Sequence, residues 1–267
     1  LDFRVTSWAE LNDHLYDGCW NPAIQRFRSP FAYRGLSDAA YDLKTTLMRL
    51  GGDYARLERH LLRNFRKYAL RDAVPADSVW NWLATAQHFG LPTRLLDWTF
   101  SPYIALHFAT ANLERYDVDG VIWAVDYVRA HRFLPGGLRQ LLEEEGSNLV
   151  TAEILQRFVT NLQELDASKT GGDFVIFFEP PSLDQRIVNQ YALFSLMSGA
   201  SAQLDVWLEA HRDLYHRILI PAELKWEIRD KLDQANITER VMFPGLDGLS
   251  RWLKRQYSPK TSPALRR

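Results

Sequence analysis

In the stretch Gln87–Ala109, QHFGLPTRLLDWTFSPYIALHFA, the chain's densest cluster of polar residues inside apolar sequence runs from Gln87 to Ser101. Gln87 and His88 fall on the last turn of a helix expected over Val79–Phe89, which Gly90 closes and Pro92 follows. Ser101-Pro102 starts the next helix, since serine caps and proline fits a first turn without losing a needed donor. That helix, Tyr103–Ala111, is apolar on nearly every side and is therefore expected to be buried. Thr93, Arg94, Asp97, Thr99 and Ser101 then lie on a connector between two buried helices, which must satisfy its own polar groups. A structural account pairs Arg94 with Asp97 and uses the hydroxyls as caps. For Thr93 and Ser101 that account and ligand contact are evenly matched. For Arg94 with Asp97, ligand contact is favoured, because burying an ion pair for stability alone rarely gains anything.

Outward from this segment, Trp8, Leu11 and Leu15 share one face of a first helix that Thr6 or Ser7 can cap. Phe31-Ala32-Tyr33 reads as a strand entering a turn at Arg34-Gly35. From Asp53 to Leu70, Leu57, Leu61, Leu62, Phe65 and Ala69 recur at helical spacing. Val121–Val125 and Phe174–Phe178 read as buried strands, with further strands expected at Ile187–Leu196 and Arg217–Ile220. Gly137–Glu164 reads as two helices broken at 146–148, and Pro221–Gln234 and Leu246–Tyr257 as terminal helices. Helices dominate early and strands later, which predicts an α+β fold rather than a regularly alternating one. Nothing divides the chain, so a single domain is expected over 1–257, with a polar, Pro-punctuated, mobile tail at 258–267.

The 267 residues, 46% hydrophobic and 13% aromatic, suffice for a large core. A formal charge of −1 gives no global basic field to attract nucleic acid, although it leaves room for a local patch. The lone cysteine, Cys19, rules out an intrachain disulfide framework and reads as an inert apolar residue. No apolar run approaches the roughly 18–20 residues of a membrane-spanning helix. Leu1-Asp2-Phe3-Arg4 is not a signal-peptide start, so cytoplasmic residence and no membrane contact are the default expectation.

Three places can carry chemistry. The first is the Gln87–Ser101 cluster. The second is Arg34, beside Gly35 at a strand end, where a guanidinium suits bidentate phosphate recognition; a surface ion pair is the ordinary alternative. The third is Gln185-Arg186-Ile-Val-Asn-Gln190, where strand periodicity puts Arg186, Val188 and Gln190 on one face. Gln190 could equally be a hydrogen-bonded core residue. His88, His107 and His131 show no metal-ligand spacing, so no metal is expected. P-loop, GxGxxG and GxSxG motifs are absent, and the pairs Trp80/Trp82 and Trp98/Trp123 read as core.

Four of these segments, in order, resemble the FRG domain family: Tyr33-Arg34-Gly35, QHFGLPTRLLDWT with SPYIALHFA, Arg186…Gln190…Phe194, and ITERVMFPGLDGL at Ile237–Leu249. The resemblance spreads from Trp8 to about Tyr257. It implies an ADP-ribosyltransferase-like fold, with NAD as substrate in a cleft between two small sheets. It further implies that Arg34 and Gly35 hold the nucleotide, with Gln87, His88, Arg94, Thr99 and Ser101 as further contacts. Thr99 and Ser101 would line the nicotinamide side, with Arg94 and Asp97 as a brace. Gln190, Arg186 and Asp97 would stand at the reacting ribose. Many such transferases have glutamate where this chain has Gln190, and glutamine cannot act as a base, so Asp97 or Glu179 is left to supply a carboxylate. The implied function is an NAD-dependent ADP-ribosyltransferase or NAD glycohydrolase of the bacterial toxin or phage-defence kind. Its acceptor would be a protein or nucleic acid, and an antitoxin or defence-system protein its partner. The alternative is a non-catalytic nucleotide-sensing or interaction module. A hydrolase or transferase acting on another phosphorylated nucleoside ranks lower, because no metal site is evident.

Overall fold

Strand Phe31–Leu36 occupies the middle of a seven-stranded sheet, and the rest of the chain is arranged to its two sides. The structure is a computed structural model that describes residues 1–69, 73–169 and 171–260. Its strands are β1 (Asp2–Arg4), β2 (Trp20–Asn21), β3 (Arg26–Phe27), β4 (Phe31–Leu36), β5 (Leu95–Thr99), β6 (Gly120–Asp126), β7 (Val175–Phe178), β8 (Ala192–Met197) and β9 (Tyr215–Ile220). The helices are α1 (Trp8–Tyr16), α2 (Tyr54–Tyr68), α3 (Val79–His88), α4 (Pro102–Thr110), α5 (Tyr127–Ala130), α6 (Gly136–Glu145), α7 (Ala152–Phe158), α8 (Leu162–Ala167), α9 (Gln185–Asn189), α10 (Leu204–Glu209), α11 (Lys225–Gln234), α12 (Glu239–Met242) and α13 (Leu246–Gln256). The fold is α+β, with sheet order β1-β9-β6-β4-β5-β8-β7 and a separate β2–β3 ribbon. Within the sheet β1 runs parallel to β9, and the other neighbours are antiparallel.

The sheet is nearly divided at its centre. β4 pairs with β6 from Phe31↔Asp126 to Leu36↔Val121, and β5 with β8 from Leu95↔Leu196 to Thr99↔Ala192. Between β4 and β5 the described residues contain the single pair Tyr33↔Thr99. One face nevertheless has a continuous core, in which Ala32, Leu96, Trp98, Trp123 and Phe177 pack with Leu204 and Leu208 of α10. The opposite face is split. Tyr33, Ile122 and Ile218 pack under α1, α4 and α11, whereas Leu95, Phe194 and Ile176 pack under α3 and the helices α6 to α8. Alternate strand residues point to opposite faces, so this partition follows from the sequence once the strands are placed.

Several sequence expectations are corrected. Arg34-Gly35 is not a turn: β4 continues through both to Leu36. Gly35 is needed instead because the backbone of α4 crosses it; a Cβ there would lie 1.8 Å from the Ala105 carbonyl oxygen. The supposed connector from Thr93 to Ser101 contains β5, whose Leu95, Leu96 and Trp98 are buried on both faces and so show no alternation. The strand expected at Ile187–Leu196 is instead α9 followed by β8. Asp184 caps that short helix by accepting from the Ile187 amide at 3.1 Å, and Tyr191, at φ 47°, turns the chain into β8. Gly137–Glu164 forms three helices rather than two, because Thr151 and Asn161 each cap a new start. Where a cleft between two small sheets was expected, seven strands form one sheet whose halves are joined at Tyr33↔Thr99, and the β2–β3 ribbon stands apart. The helix expected from Asp53 to Leu70 is observed at Tyr54–Tyr68, and Leu70 lies outside the described residues. From residue 261 onward the expected tail also lies outside the described residues.

Arg94 is the largest departure from the expected brace. Its side chain is 2% exposed and does not meet Asp97. Nε donates to Glu58 at 2.8 Å, Nη2 also reaches that carboxylate, and Nη1 donates to Asp166 at 2.7 Å. The pair ties α2 and α8 to the start of β5. These carboxylates together hold the Arg94 pKa above the ordinary value despite burial.

Two stability outcomes follow from these contacts. Gly35→Ala will destabilise the protein by about 2 kcal/mol or more, since neither backbone can yield freely; an unchanged urea midpoint would contradict the close packing. Glu58→Ala will cost about 3 kcal/mol by stranding a buried guanidinium. Asp166→Asn, at a half-exposed carboxylate, will cost under about 1 kcal/mol. Equal losses from the two would show that Arg94 is not anchored chiefly by Glu58.

Candidate functional site

On the split face, where the two groups of helices leave the sheet uncovered, lies a cleft of about 320 Å³. β4 contributes Arg34 and Gly35, β5 contributes Asp97 and Thr99, and α3 contributes Gln87 and His88. Arg186, Ile187 and Gln190 from α9 and its C-terminal cap close the far side, and Phe108, Phe194 and Tyr41 supply apolar and aromatic wall.

Arg34 sits at the fork between the diverging strands. Its Nη1 donates to the carbonyl of Asp97, an acceptor on the strand that β4 has just left. Its Nε is buried with no partner among the described residues, which also place no carboxylate within ion-pair distance of the guanidinium. Burial lowers the Arg34 pKa, the Asp97 carboxylate opposes that shift and Arg49 adds to it. Arg186 repeats the pattern. Its Nη1 donates to the His88 carbonyl at 3.4 Å, its guanidinium carbon stands 5.2 Å from the centre of the Phe243 ring, and it too has no carboxylate partner among the described residues. Two guanidinium groups in one cleft, neither paired with a carboxylate among the described residues, are chemically suited to receive an anion.

Asp97 brings a carboxylate to the same space, and its orientation is fixed by a directional chain. The Leu95 amide donates to Thr93 Oγ1 at 3.1 Å, and the Thr93 hydroxyl donates to Gln87 Oε1 at 2.6 Å. Gln87 Nε2 then faces Asp97 and donates to Oδ2 at 2.9 Å. Asp184 stands at the rim, 2.8 Å from His88 Nε2. Burial alone would raise its pKa, but the Ile187 amide and His88 hold it below the usual carboxylate value.

Gln190 lines the cleft, yet its Nε2 is committed to the Met242 carbonyl at 2.9 Å, and Asn189 Nδ2 reaches the Val241 carbonyl at 2.8 Å. These bonds clasp α9 to α12, which belongs to the Ile237–Leu249 motif. Thr99 lines the cleft while its Oγ1 accepts from the Ser101 amide at 3.0 Å. Ser101 caps α4 by accepting from the Ile104 amide at 3.4 Å and lies outside the lining. Arg94 is likewise outside it, buried against Glu58 and Asp166. Glu179, exposed at the end of β7 with its pKa raised by desolvation, does not line the cleft either. Arg186 and Gln190 do share a face, but as residues one helical turn apart, with the Gln190 amide donating to the Arg186 carbonyl at 2.9 Å.

His107 and His131 are buried, and desolvation depresses them to about 3 and about 4. His131 accepts from the Phe177 amide at 2.9 Å, which assigns its Nδ1–H to the Asn148 carbonyl at 3.0 Å. Both histidines are core residues. Among the described residues, no group of three or more His, Cys, Asp or Glu side chains is placed to hold a metal. Sequence inspection missed Tyr41, Phe108, Asp184 and Phe243. Asp184 was detectable as a helix cap preceding Gln185, whereas the two wall aromatics carry no local signal.

No curated protein and no solved structure matches the chain. The model of the FRG domain family does match, over residues 29–117. That span contains β4, α2, α3, β5 and α4, and hence both sides of the split in the sheet together with Arg34, Gln87 and Asp97. Within that span the chain is similar to the FRG domain.

Proposed function

We propose that the cleft binds NAD and breaks its nicotinamide–ribose bond, passing ADP-ribose to an acceptor or to water. The observation that carries this reading is the pair Arg34 and Arg186, two cations in one cleft with no carboxylate partner. Both side chains are half-buried, and the Nε of each is a buried donor with no partner among the described residues, so a pyrophosphate would relieve both. The volume is at the small end of ligand pockets, about 300–1,000 Å³. It suits the nicotinamide riboside half of the dinucleotide, with its ring against Phe108, Ile187 and Phe194. The nearly divided sheet supports an ADP-ribosyltransferase-like arrangement, in which the nucleotide lies across such a split.

In this reading the C–N bond breaks with its electron pair leaving on nicotinamide, and positive charge develops at the ribose carbon. Asp97 faces that centre, held by Gln87 and Thr93. Its carboxylate stabilises the developing cation and accepts the proton of the incoming nucleophile. Gln190, bound through its nitrogen to Met242, presents its amide oxygen to a ribose hydroxyl and takes no proton. Glu179 has no part, because it lies outside the cleft.

One observation favours the second reading, a module that binds ADP-ribose or NAD without turnover: the side chain beside Arg186 is Gln190, whose amide nitrogen already serves the fold. Nicotinamide release and calorimetry separate the two. The wild-type protein is expected to bind NAD and release nicotinamide. Arg34→Ala will weaken binding about 10- to 100-fold, the loss of a charge-assisted contact. Asp97→Asn will keep affinity within about threefold while slowing release by about a hundredfold or more. NAD binding with no release across protein and nucleic-acid acceptors would leave the module reading standing, and an Arg34→Ala variant of full affinity would remove Arg34 from the site.

A further inference from the structure

We infer that the exposed face of α2 is a binding surface for the phosphate backbone of a nucleic acid, separate from the cleft. The helix reads YARLERHLLRNFRKY, and Arg56, Arg59, His60, Arg63, Arg66 and Lys67 are all exposed. Its one acidic residue, Glu58, is buried and neutralised by Arg94. Some surface arginines elsewhere are matched with carboxylates, Arg157 with Glu144 and Glu145, Arg217 with Asp2, Arg129 with Asp213, and others, such as Arg132 and Arg212, stand singly rather than in a row along one helix. Arg56, Arg59 and Arg63 have no such partner among the described residues.

The placement is unfavourable for the helix by itself. Arg59/Arg63 and Arg63/Lys67 are four residues apart, so cations face cations, and Arg56 stands in a first turn whose dipole prefers anions. A polyanion turns this repulsion into attraction. Arg59, Arg63 and Arg66 also line a groove of about 280 Å³ between α2 and the start of α8, where Asn161 and Gln163 contribute uncharged amides beside Leu62, Val79 and Leu162. Among the described residues no acid lines the groove; Asp77 pairs with Arg66 at 2.8 Å, Glu164 next to Gln163 accepts from Thr160 and Asn161, and Asp53 stands at the N-cap of α2. Arg56 to Lys67 spans about 16 Å of helix axis, the length over which one strand presents about five phosphates. A membrane surface is the less fitting polyanion. Basic helices that bind bilayers insert an apolar face, and the apolar face of α2 is packed on the core through Leu62 and Phe65. The near-neutral net charge makes such binding local to this helix.

The test is fluorescence anisotropy with a labelled oligonucleotide of about twenty nucleotides, single-stranded and as duplex, between about 50 and 200 mM salt. Wild-type protein is expected to bind, with affinity falling steeply as salt rises. Arg56→Gln/Arg59→Gln/Arg63→Gln will weaken binding about tenfold or more and reduce the log–log salt slope by about 2 to 3. A charge-matched control, Arg132→Gln/Arg212→Gln/Lys254→Gln, removes exposed cations elsewhere and will leave both values nearly unchanged. Circular dichroism checks folding; if the triple variant loses helix, Arg63→Gln replaces it, with an expected slope change of about 1. The proposal is overturned if wild-type protein fails to bind either oligonucleotide at low salt, or if the α2 variant binds as well as wild type. Equal weakening of the control would overturn it too, as would binding confined to phosphatidylserine vesicles.

Discussion

The close approach of two backbones at Gly35 governs the architecture. With no side chain at that position, α4 lies directly on β4, with the Ala105 carbonyl where a Cβ would otherwise be. A helix seated so tightly on β4 covers that strand and its neighbour β6, with α1 and α11 beside it over β9, and most of β5 is left to be covered by other helices. Two helical groups therefore stand side by side on one face. Tyr33↔Thr99 is the pair at which β4 and β5 remain joined before they diverge. The cleft is a consequence of that divergence, and its polar groups come from the strand ends and helix ends that border it.

Arg34 and Arg94 show how burial context separates two arginines that look equivalent in the sequence. Arg94 is enclosed by Glu58 and Asp166 and serves as a tie between α2, α8 and β5. Arg34 meets only a main-chain carbonyl and keeps part of its guanidinium free. The first is an internal ion pair and the second is an unsatisfied cation at the mouth of a cleft. The difference lies in which carboxylates the fold brings near, and those are 36 and 72 residues away from Arg94.

That distance explains what could be recognised from sequence. The helix caps at Ser7 and Ser101, the buried helix α4 and the strands β6, β7 and β9 were legible, because their signals are local or periodic. β5 was hidden by burial on both faces, which erases alternation. α9 was hidden because five residues are too few for helical periodicity to exceed a chance period of two. Arg34, Gln87, His88, Asp97, Thr99, Arg186 and Gln190 do converge on the cleft, although the strand geometry expected for the last two was wrong. The Arg94–Asp97 brace failed since no sequence pattern announces Glu58 as the true partner. Gly35 was singled out for its place beside Arg34, and its structural necessity became visible only with α4 above it.

Amide hydrogen exchange with and without saturating NAD tests most directly whether the split in the sheet is the ligand site. Slowed exchange concentrated in 33–37, 87–99 and 185–192 is the expected result, with α2 and α13 unaffected. Protection absent from these segments, or appearing only on elements remote from the cleft, would contradict the account.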